Sequence, residues 1–312
     1  MSATPLDPTF YLVTAIGGVL VLASLVGFGL KALVAGMRPH AGLDNLNARI
    51  QAWWILAALF GLALAGGTPG VCALFALASF MALREFAAPA AGAAGNRVLL
   101  RLALFVVLPL QYAFVWAGWH AAFALFIPAV ALPLLAGAGA ARGSRREVAR
   151  LGAGLVICVY LVSHVPALMT LDVAGDGEHR VHRLVFLVLV VQGSDVLQYL
   201  WGKLAGRRRI APRLSPSKTV AGTVGGILSA TMLGALLAPI TPFTVAQAAR
   251  MAFILALLGF CGGLAMSALK RRRGIKDWGS AIRGHGGVLD RIDSLCLSAP
   301  AYFYLLWLGW MP

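Results

Sequence analysis

Charge is scarce in this chain. Asp, Glu, Lys and Arg make up 12% of its 312 residues and hydrophobic residues 60%, whereas a soluble domain carries about 25% charged residues. One soluble core cannot bury that apolar excess, which excludes a soluble globular protein and implies a polytopic membrane protein. Acidic residues are scarcer still, 11 against 26 Lys and Arg, for a net charge of +15. Cysteine is limited to Cys72, Cys158, Cys261 and Cys296, one per apolar segment. No two have metal-ligand spacing, so neither a zinc cluster nor a disulfide framework is expected, only small buried side chains. The first apolar stretch has no basic flank on its N-terminal side and is too long for a secretory leader, so a retained helix is expected. Internal repeats and low-complexity linkers are absent, which disfavours the repeated halves of a transporter.

The apolar runs themselves define the architecture. Segments of spanning length can be drawn at 10–35, 52–66, 69–83, 98–118, 121–141, 151–171, 183–201, 220–241, 250–269 and 295–311, each close to the roughly 20 residues that cross a bilayer. This predicts an all-α polytopic integral membrane protein of about ten transmembrane helices. The second and third runs, joined through Gly66–Gly70, are expected to form a tight hairpin. Of the 26 Lys and Arg residues, all but Arg180, Arg183 and Arg250 fall in odd-numbered connections. The positive-inside rule then places those connections in the cytoplasm and both termini on the non-cytoplasmic side, as in a bacterial inner membrane. The +15 is thereby explained by topology and by attraction to anionic membrane lipids, and nucleic acid is not an expected partner.

Chemistry is concentrated in the second half. Residues 1–170 read as helices of structural role, and 183–312 as a catalytic half with cytoplasmic loops 202–219 and 270–294. In the first half, His120 and His164 read as structural histidines and Arg84 with Glu85 as an interface pair. In the outer loop, Asp172, Asp176 and Glu178 read as solvated. Gly193–Gly226 is the first constellation. It sets Asp195 inside an apolar run, where a lone carboxylate needs a partner or a task. Ser215, Ser217, Lys218 and Thr219 then precede a helix expected to start near Val220, a ready anion site. A phosphate-binding P-loop is rejected, because Pro212 and Ser217 stand where that motif needs glycine. Downstream, Gly222, Gly226, Ala230, Gly234 and Ala238 recur every four residues, a stripe suited to close helix packing.

The second constellation is SALKRRRGIKDWGSAIRGHGGVLDRID, Ser267–Asp293. Ser267, Lys270 and Arg271 share one helix face at i, i+3 and i+4. Lys276 and Asp277 follow, then Gly284, His285, Gly286 and Gly287, whose glycines permit close approach of backbone to ligand. Asp290 and Asp293 flank Arg291. Carboxylates, cations and glycines at a membrane surface suit a metal-bound polyphosphate beside a lipid headgroup.

These residues resemble the signature of the phosphatidate cytidylyltransferases (CDP-diacylglycerol synthases). The match runs Ser-x-x-Lys-Arg, four residues, Lys-Asp, then His-Gly-Gly-x-x-Asp-Arg-x-Asp. Upstream, Asp195, Tyr199, Gly202, Gly206, Pro212, Ser215, Pro216, Lys218, Thr219, Gly222, Gly225 and Gly226 also look like the family. The likeness is specific over about 190–300, and QYLWGK looks like a divergent bacterial branch. It implies a Mg²⁺-dependent nucleotidyltransferase of phospholipid biosynthesis, joining CTP and phosphatidate into CDP-diacylglycerol and pyrophosphate at the cytoplasmic face. Another divalent cation, an added monovalent cation and a homodimer are left open. By analogy, Lys218, Asp277, Ser267, Lys270 and Arg271 are catalytic, with Asp277 ligating metal. Asp195, Ser215, Thr219, Lys276, His285, Gly286, Gly287, Asp290, Arg291 and Asp293 bind substrate. The chain departs from the pattern at Ala221, at Arg283 and at Gly263. At position 263 the family carries an aspartate that, like the match to Asp277, is implicated in holding divalent metal. Asp195, Asp290 or water is then expected to complete the metal shell. The alternatives are action on another lipid phosphate, or a non-catalytic relative that binds lipid or nucleotide.

Overall fold

The computed structural model describes residues 8–36, 38–88, 94–140, 145–173, 180–281 and 286–309. Arg142, Asp176, Glu178, Arg283, Gly284 and His285 lie outside them. In a bilayer core every backbone N–H and C=O must be satisfied within the protein, so long apolar runs become helices. The chain opens with α1 (Pro8–Ala35), α2 (Ala41–Ala65) and α3 (Gly67–Ala87). Three helical rods follow, each with a π-helical turn inside it. The first is α4 (Ala94–Leu102), Ala103–Val107 and α5 (Leu108–Trp116); the second is α6 (His120–Leu125), Phe126–Ala131 and α7 (Leu132–Ala140). The third is α8 (Arg145–Gly154), Leu155–Tyr160 and α9 (Leu161–Ala167). Pro109 and Pro128, which lack an N–H, account for the first two π turns, a shift of register that re-satisfies the helix.

The second half comprises α10 (Arg180–Ala205), a β1 (Arg209–Ala211) to β2 (Ser215–Thr219) hairpin, α11 (Val220–Leu236), α12 (Val245–Arg272), the single turn α13 (Leu289–Ile292) and α14 (Leu295–Trp307). The strands pair antiparallel, Arg209 with Thr219 and Ala211 with Ser215, where a plain loop was expected. Among the described residues, eight helices are long and apolar enough to cross a membrane. The expected spans at 220–241 and 295–311 are shorter, at 17 and 13 residues. Pro239 stops the first of these, and the second ends at Trp307, just before Gly309 at φ +68°.

The expected α2–α3 hairpin is present and tighter than anticipated, with Gly66 alone between the helices. Gly67 takes φ +61°, and a methyl at Gly70 would stand 2.4 Å from the Ala63 carbonyl oxygen. Both positions therefore require glycine. The small-residue stripe packs as read from Gly222 to Gly234, while Ala238 falls in the 3₁₀ turn Ala238–Ile240 beyond α11. Methyls at Gly222 and Gly226 would strike Gln198 of α10 at 2.7 and 2.3 Å, and one at Gly234 would strike Ala252 of α12 at 2.2 Å. α11 is thus clamped between α10 and α12, the close backbone approach that drives helix association where burial from lipid gains little. Leu83, Phe123, Phe186, Leu187 and Phe303 are fully buried. By contrast α1 exposes Val19, Leu22, Leu25 and Leu33, an outer surface suited to lipid.

Contacts bring all five odd-numbered connections to one end. Arg49 lies over the Tyr199 ring, Glu85 accepts hydrogen bonds from Val288 and Leu289, and Arg150 interacts with Arg273. Arg271 donates to the Leu214 carbonyl, joining the hairpin to the end of α12. α1 begins and α14 finishes at the opposite end, together with the start of α10, where Arg180 pairs with Asp172.

Candidate functional site

Three segments converge at the charged end. The C-terminal part of α10 carries Asp195, β2 carries Lys218 as it enters α11, and the turn between α13 and α14 carries Asp293 and Ser294. They can meet because α12 offers glycine. A methyl at Gly262 would stand 2.9 Å from the Asp293 carbonyl oxygen, and one at Gly259 would lie 3.2 Å from Val191 Cγ1. Ser294 is 2% exposed. Its hydroxyl donates to Asp195 Oδ2, and Asp293 Oδ1 lies 3.3 Å away. Two carboxylates therefore share one donor. Burial, reinforced by the Asp195 carboxylate, pushes Asp293 up to about 6.

Gly263 faces this cluster. A methyl there would stand 3.2 Å from Lys218 Nζ and 3.7 Å from Ser294 Oγ, with nothing else within 4 Å. The position that carries an aspartate in the resembled pattern thus opens onto the Lys218 ammonium. Among the described residues no carboxylate lies within ion-pair distance of Lys218, whose ammonium sits 4.7 Å from the Phe260 ring centre. A cation without a carboxylate partner, next to two carboxylates held by a hydroxyl, is free to take an anionic ligand.

The signature loop is ordered by Asp290. Lys270 Nζ donates to Asp290 Oδ1 at 2.7 Å in a largely buried ion pair. Asp290 Oδ2 accepts the backbone N–H groups of Trp278 and Gly287, both at 2.9 Å. Asp290 therefore spends both oxygens on protein donors and closes the loop from 278 to 287. Gly286 has φ +81°, and a methyl there would lie 2.7 Å from Asp290 Oδ2 and 3.3 Å from Asp277 Cβ. Asp277 itself is exposed, and among the described residues its carboxylate makes no hydrogen bond or ion pair.

The shared face of Ser267, Lys270 and Arg271 divides its labour. Ser267 donates to the Gly263 carbonyl of its own helix at 2.8 Å. Lys270 is taken by Asp290, and Arg271 donates to the carbonyls of Leu214 and Ile275 at 3.3 and 3.0 Å. Arg271 thereby bridges the hairpin and the loop. Lys276 is exposed. Thr219 caps α11 by accepting from Gly222 N at 3.1 Å, and Ser215 is buried in β2. Arg291 lies near Asp293, Asp290 and Asp195, and its buried Nε meets no hydrogen-bond partner among the described residues. His285 falls outside the described residues.

Two groups escaped the sequence reading. Ser294 follows Asp293 directly, so its neighbour was the signal. Glu85 does not pair with Arg84 as expected. It accepts from Val288 N and Leu289 N at 2.9 and 3.0 Å. Phe86 stacks on Trp278 with ring centres 5.1 Å apart, and Arg273 lies over both rings. The signal for Glu85 was an acid in the last turn of a helix, where the macrodipole favours cations.

The carboxylate oxygens left open at this end are the donor type a hard divalent cation takes. Asp277 is uncommitted, and Asp195 and Asp293 share one hydroxyl, leaving lone pairs free. No cluster of three His, Cys, Asp or Glu residues occurs among the described residues. Mg²⁺ needs only one or two carboxylates, with water and substrate phosphate supplying the rest.

The charged end of this polytopic membrane protein thus combines oxygen donors, a lysine with no carboxylate partner among the described residues and a glycine-bounded loop, an arrangement that can take a phosphate-bearing ligand. Sequence comparison gives the family. The chain matches the model of the cytidylyltransferase family over residues 47–308, and it belongs to that family, a class of nucleotidyltransferases. It is 32% identical over 292 residues to the uncharacterized protein YnbB of Escherichia coli (strain K12), covering 92% of this chain and 94% of that one. It is 39% identical over 132 residues to the phosphatidate cytidylyltransferase of Brucella abortus, 42% of this chain and 48% of the relative. The Bacillus subtilis phosphatidate cytidylyltransferase matches at 32% over 138 residues, 44% of this chain and 51% of that one. The chain thus spans about half the length of the curated phosphatidate cytidylyltransferases that it matches.

Proposed function

We propose that this protein transfers the cytidylyl group of CTP to phosphatidate, giving CDP-diacylglycerol and pyrophosphate at the cytoplasmic face of the membrane. The observation that carries this reading is the convergence of Asp195, Lys218 and Asp293–Ser294 around Gly263. It sits at the end of the bundle that gathers most of the Lys and Arg residues. The family membership and the partial likeness to phosphatidate cytidylyltransferases supply the nucleotide and the lipid.

In this reading a phosphate oxygen of the lipid attacks the α-phosphorus of CTP. A phosphorus–oxygen bond forms there, and the bond from the α-phosphorus to the bridging oxygen breaks, releasing pyrophosphate. A phosphomonoester is largely ionised near pH 7, its second pKa being about 6, so neither a protein nucleophile nor a strong base is needed. The obstacle is repulsion between two polyanions, and the protein's task is positioning and charge neutralisation. Lys218, unpaired and beside Gly263, meets phosphate directly. Arg291 Nε offers a buried donor to the same ligand. Lys270 acts through Asp290 to order the loop, and Arg271 fixes the hairpin against it. Asp277, with Asp195 or Asp293, would hold Mg²⁺, which when bound spreads the triphosphate charge. Asp290 is left out of that set because its oxygens are committed.

The test uses membranes containing the full chain, radiolabelled CTP, phosphatidate and Mg²⁺, with Asp277→Ala as the matched control. A labelled lipid product that the variant does not make is expected. Its absence with phosphatidate but presence with another lipid phosphate would move the acceptor. Its absence with every acceptor would leave a lipid- or nucleotide-binding relative.

A further inference from the structure

Every group assigned chemistry above comes from the second half of the chain, but one carboxylate that grips the same loop comes from the first. Glu85 lies in the last turn of α3, where a negative charge opposes the helix dipole. Nothing local rewards it, so its reward must be tertiary. Its two oxygens accept the backbone N–H groups of Val288 and Leu289 at 2.9 and 3.0 Å, charge-assisted bonds roughly twice as strong as neutral ones. The approach is close enough to exclude side chains on both flanks. A methyl at Gly287 would stand 2.3 Å from Glu85 Oε2, and one at Gly279 would stand 2.8 Å from Oε1. The carboxylate is threaded between two stretches of loop backbone that only glycine leaves open. Beside it, Arg273 donates to the Phe86 carbonyl at 2.7 Å, and Trp278 packs on Phe86. Leu289 is followed by Asp290, and Trp278 is preceded by Asp277, so the grip falls next to both functional carboxylates of the loop.

We propose that Glu85 is a positioning residue for the transfer reaction, holding the segments 277–279 and 287–290 in their working geometry through the Val288 and Leu289 amides. This rests on the cytidylyltransferase reading for its effect on rate, though not for its effect on the loop. Glutamine is the sharp replacement. Its single oxygen accepts one amide, while its NH₂ opposes the other donor. A misplacement of about 1 Å at a reacting group costs about 10²-fold in rate.

The experiment compares the purified full chain with Glu85→Gln, Gly287→Ala and Arg84→Gln, the last as control because Arg84 lies over Phe80 and away from the loop. Hydrogen exchange is followed in peptides covering 277–292 and, for reference, 250–266 of α12. kcat and KM for CTP are measured alongside. Glu85→Gln and Gly287→Ala are expected to speed loop exchange about tenfold, the scale of one lost charge-assisted bond, with α12 unchanged. kcat should fall about 10²-fold with a smaller change in KM, and Arg84→Gln should match the wild type. Unchanged loop exchange in Glu85→Gln overturns the proposal. So does faster exchange spread equally through α12, which would mark a fold defect, or loop loosening with kcat intact. If the wild type makes no cytidylylated lipid, the transferase reading fails instead, and the exchange data alone decide whether Glu85 orders the loop.

Discussion

The two halves of the chain meet at the loop 277–293 and treat it differently. The C-terminal half brings Lys218, Asp195 and Asp277, the groups proposed for ligand and metal, and among the described residues Lys218 has no carboxylate partner and Asp277 no hydrogen bond or ion pair. The N-terminal half brings Glu85 and Phe86, and both are spent on protein. Glu85 takes two amides, and Phe86 stacks on Trp278. A site that binds polyanions needs cations left free. It also needs a frame whose own polar groups are fully paired, since an unpaired frame would move. The contrast between free and committed groups is therefore the contrast between chemistry and support.

That contrast can be broken by mutation. The largest effect is expected at Asp277, which is exposed and without partners in the described structure. Asp277→Ala should cut labelled lipid product by about 10³-fold, the scale of lost electrostatic stabilisation at a transfer site, with no change in thermal unfolding. A matching drop in unfolding temperature would assign Asp277 to the frame instead. Lys218→Ala comes next, at about 10²-fold in kcat/KM, with partial rescue by Lys218→Arg. Rescue would show that charge at that place is what counts. Gly263→Asp sharpens the comparison from the other direction. The new side chain would meet Ser294 and Lys218, whose flexible ammonium must give by a few tenths of an ångström. It should lower the Mg²⁺ concentration for half-maximal activity by about tenfold. Unchanged activity and unchanged Mg²⁺ dependence would remove position 263 from the site. The smallest effect is expected at His164, fully buried against Phe123, Tyr160 and Phe303, with Nδ1 on the Tyr160 carbonyl. His164→Phe should cost about 1 kcal/mol of stability for that hydrogen bond and leave the rate of transfer intact.

Much of the candidate site stood out in the sequence because its chemistry is costly. Asp195 inside an apolar run and the cluster from Ser267 to Asp293 stand out against a hydrophobic background, since charge at membrane depth persists only with a purpose. The stripe from Gly222 to Gly234 was legible from spacing alone. Sequence distance concealed the partnerships. Lys270 reaches Asp290 across 20 residues, Ser294 reaches Asp195 across 99, and Glu85 reaches Leu289 across 204. Reading Ser267, Lys270 and Arg271 as one ligand-facing set followed helix periodicity correctly. Periodicity places side chains on a face and says nothing of which groups neighbouring segments have already claimed.

By itself, the amino-acid sequence determined the membrane class, the helical rods and the bias of cations towards one set of connections. Each of these follows from local free energies of transfer and from backbone hydrogen bonding in lipid. Only the tertiary structure decided which charges are free. Asp290 is held by three protein donors, the Lys270 ammonium and the Trp278 and Gly287 amides. Glu85 accepts the two distant amides of Val288 and Leu289. Gly263 faces Lys218. Free and committed charges look alike in one dimension, since commitment is a property of the partner and of the distance to it.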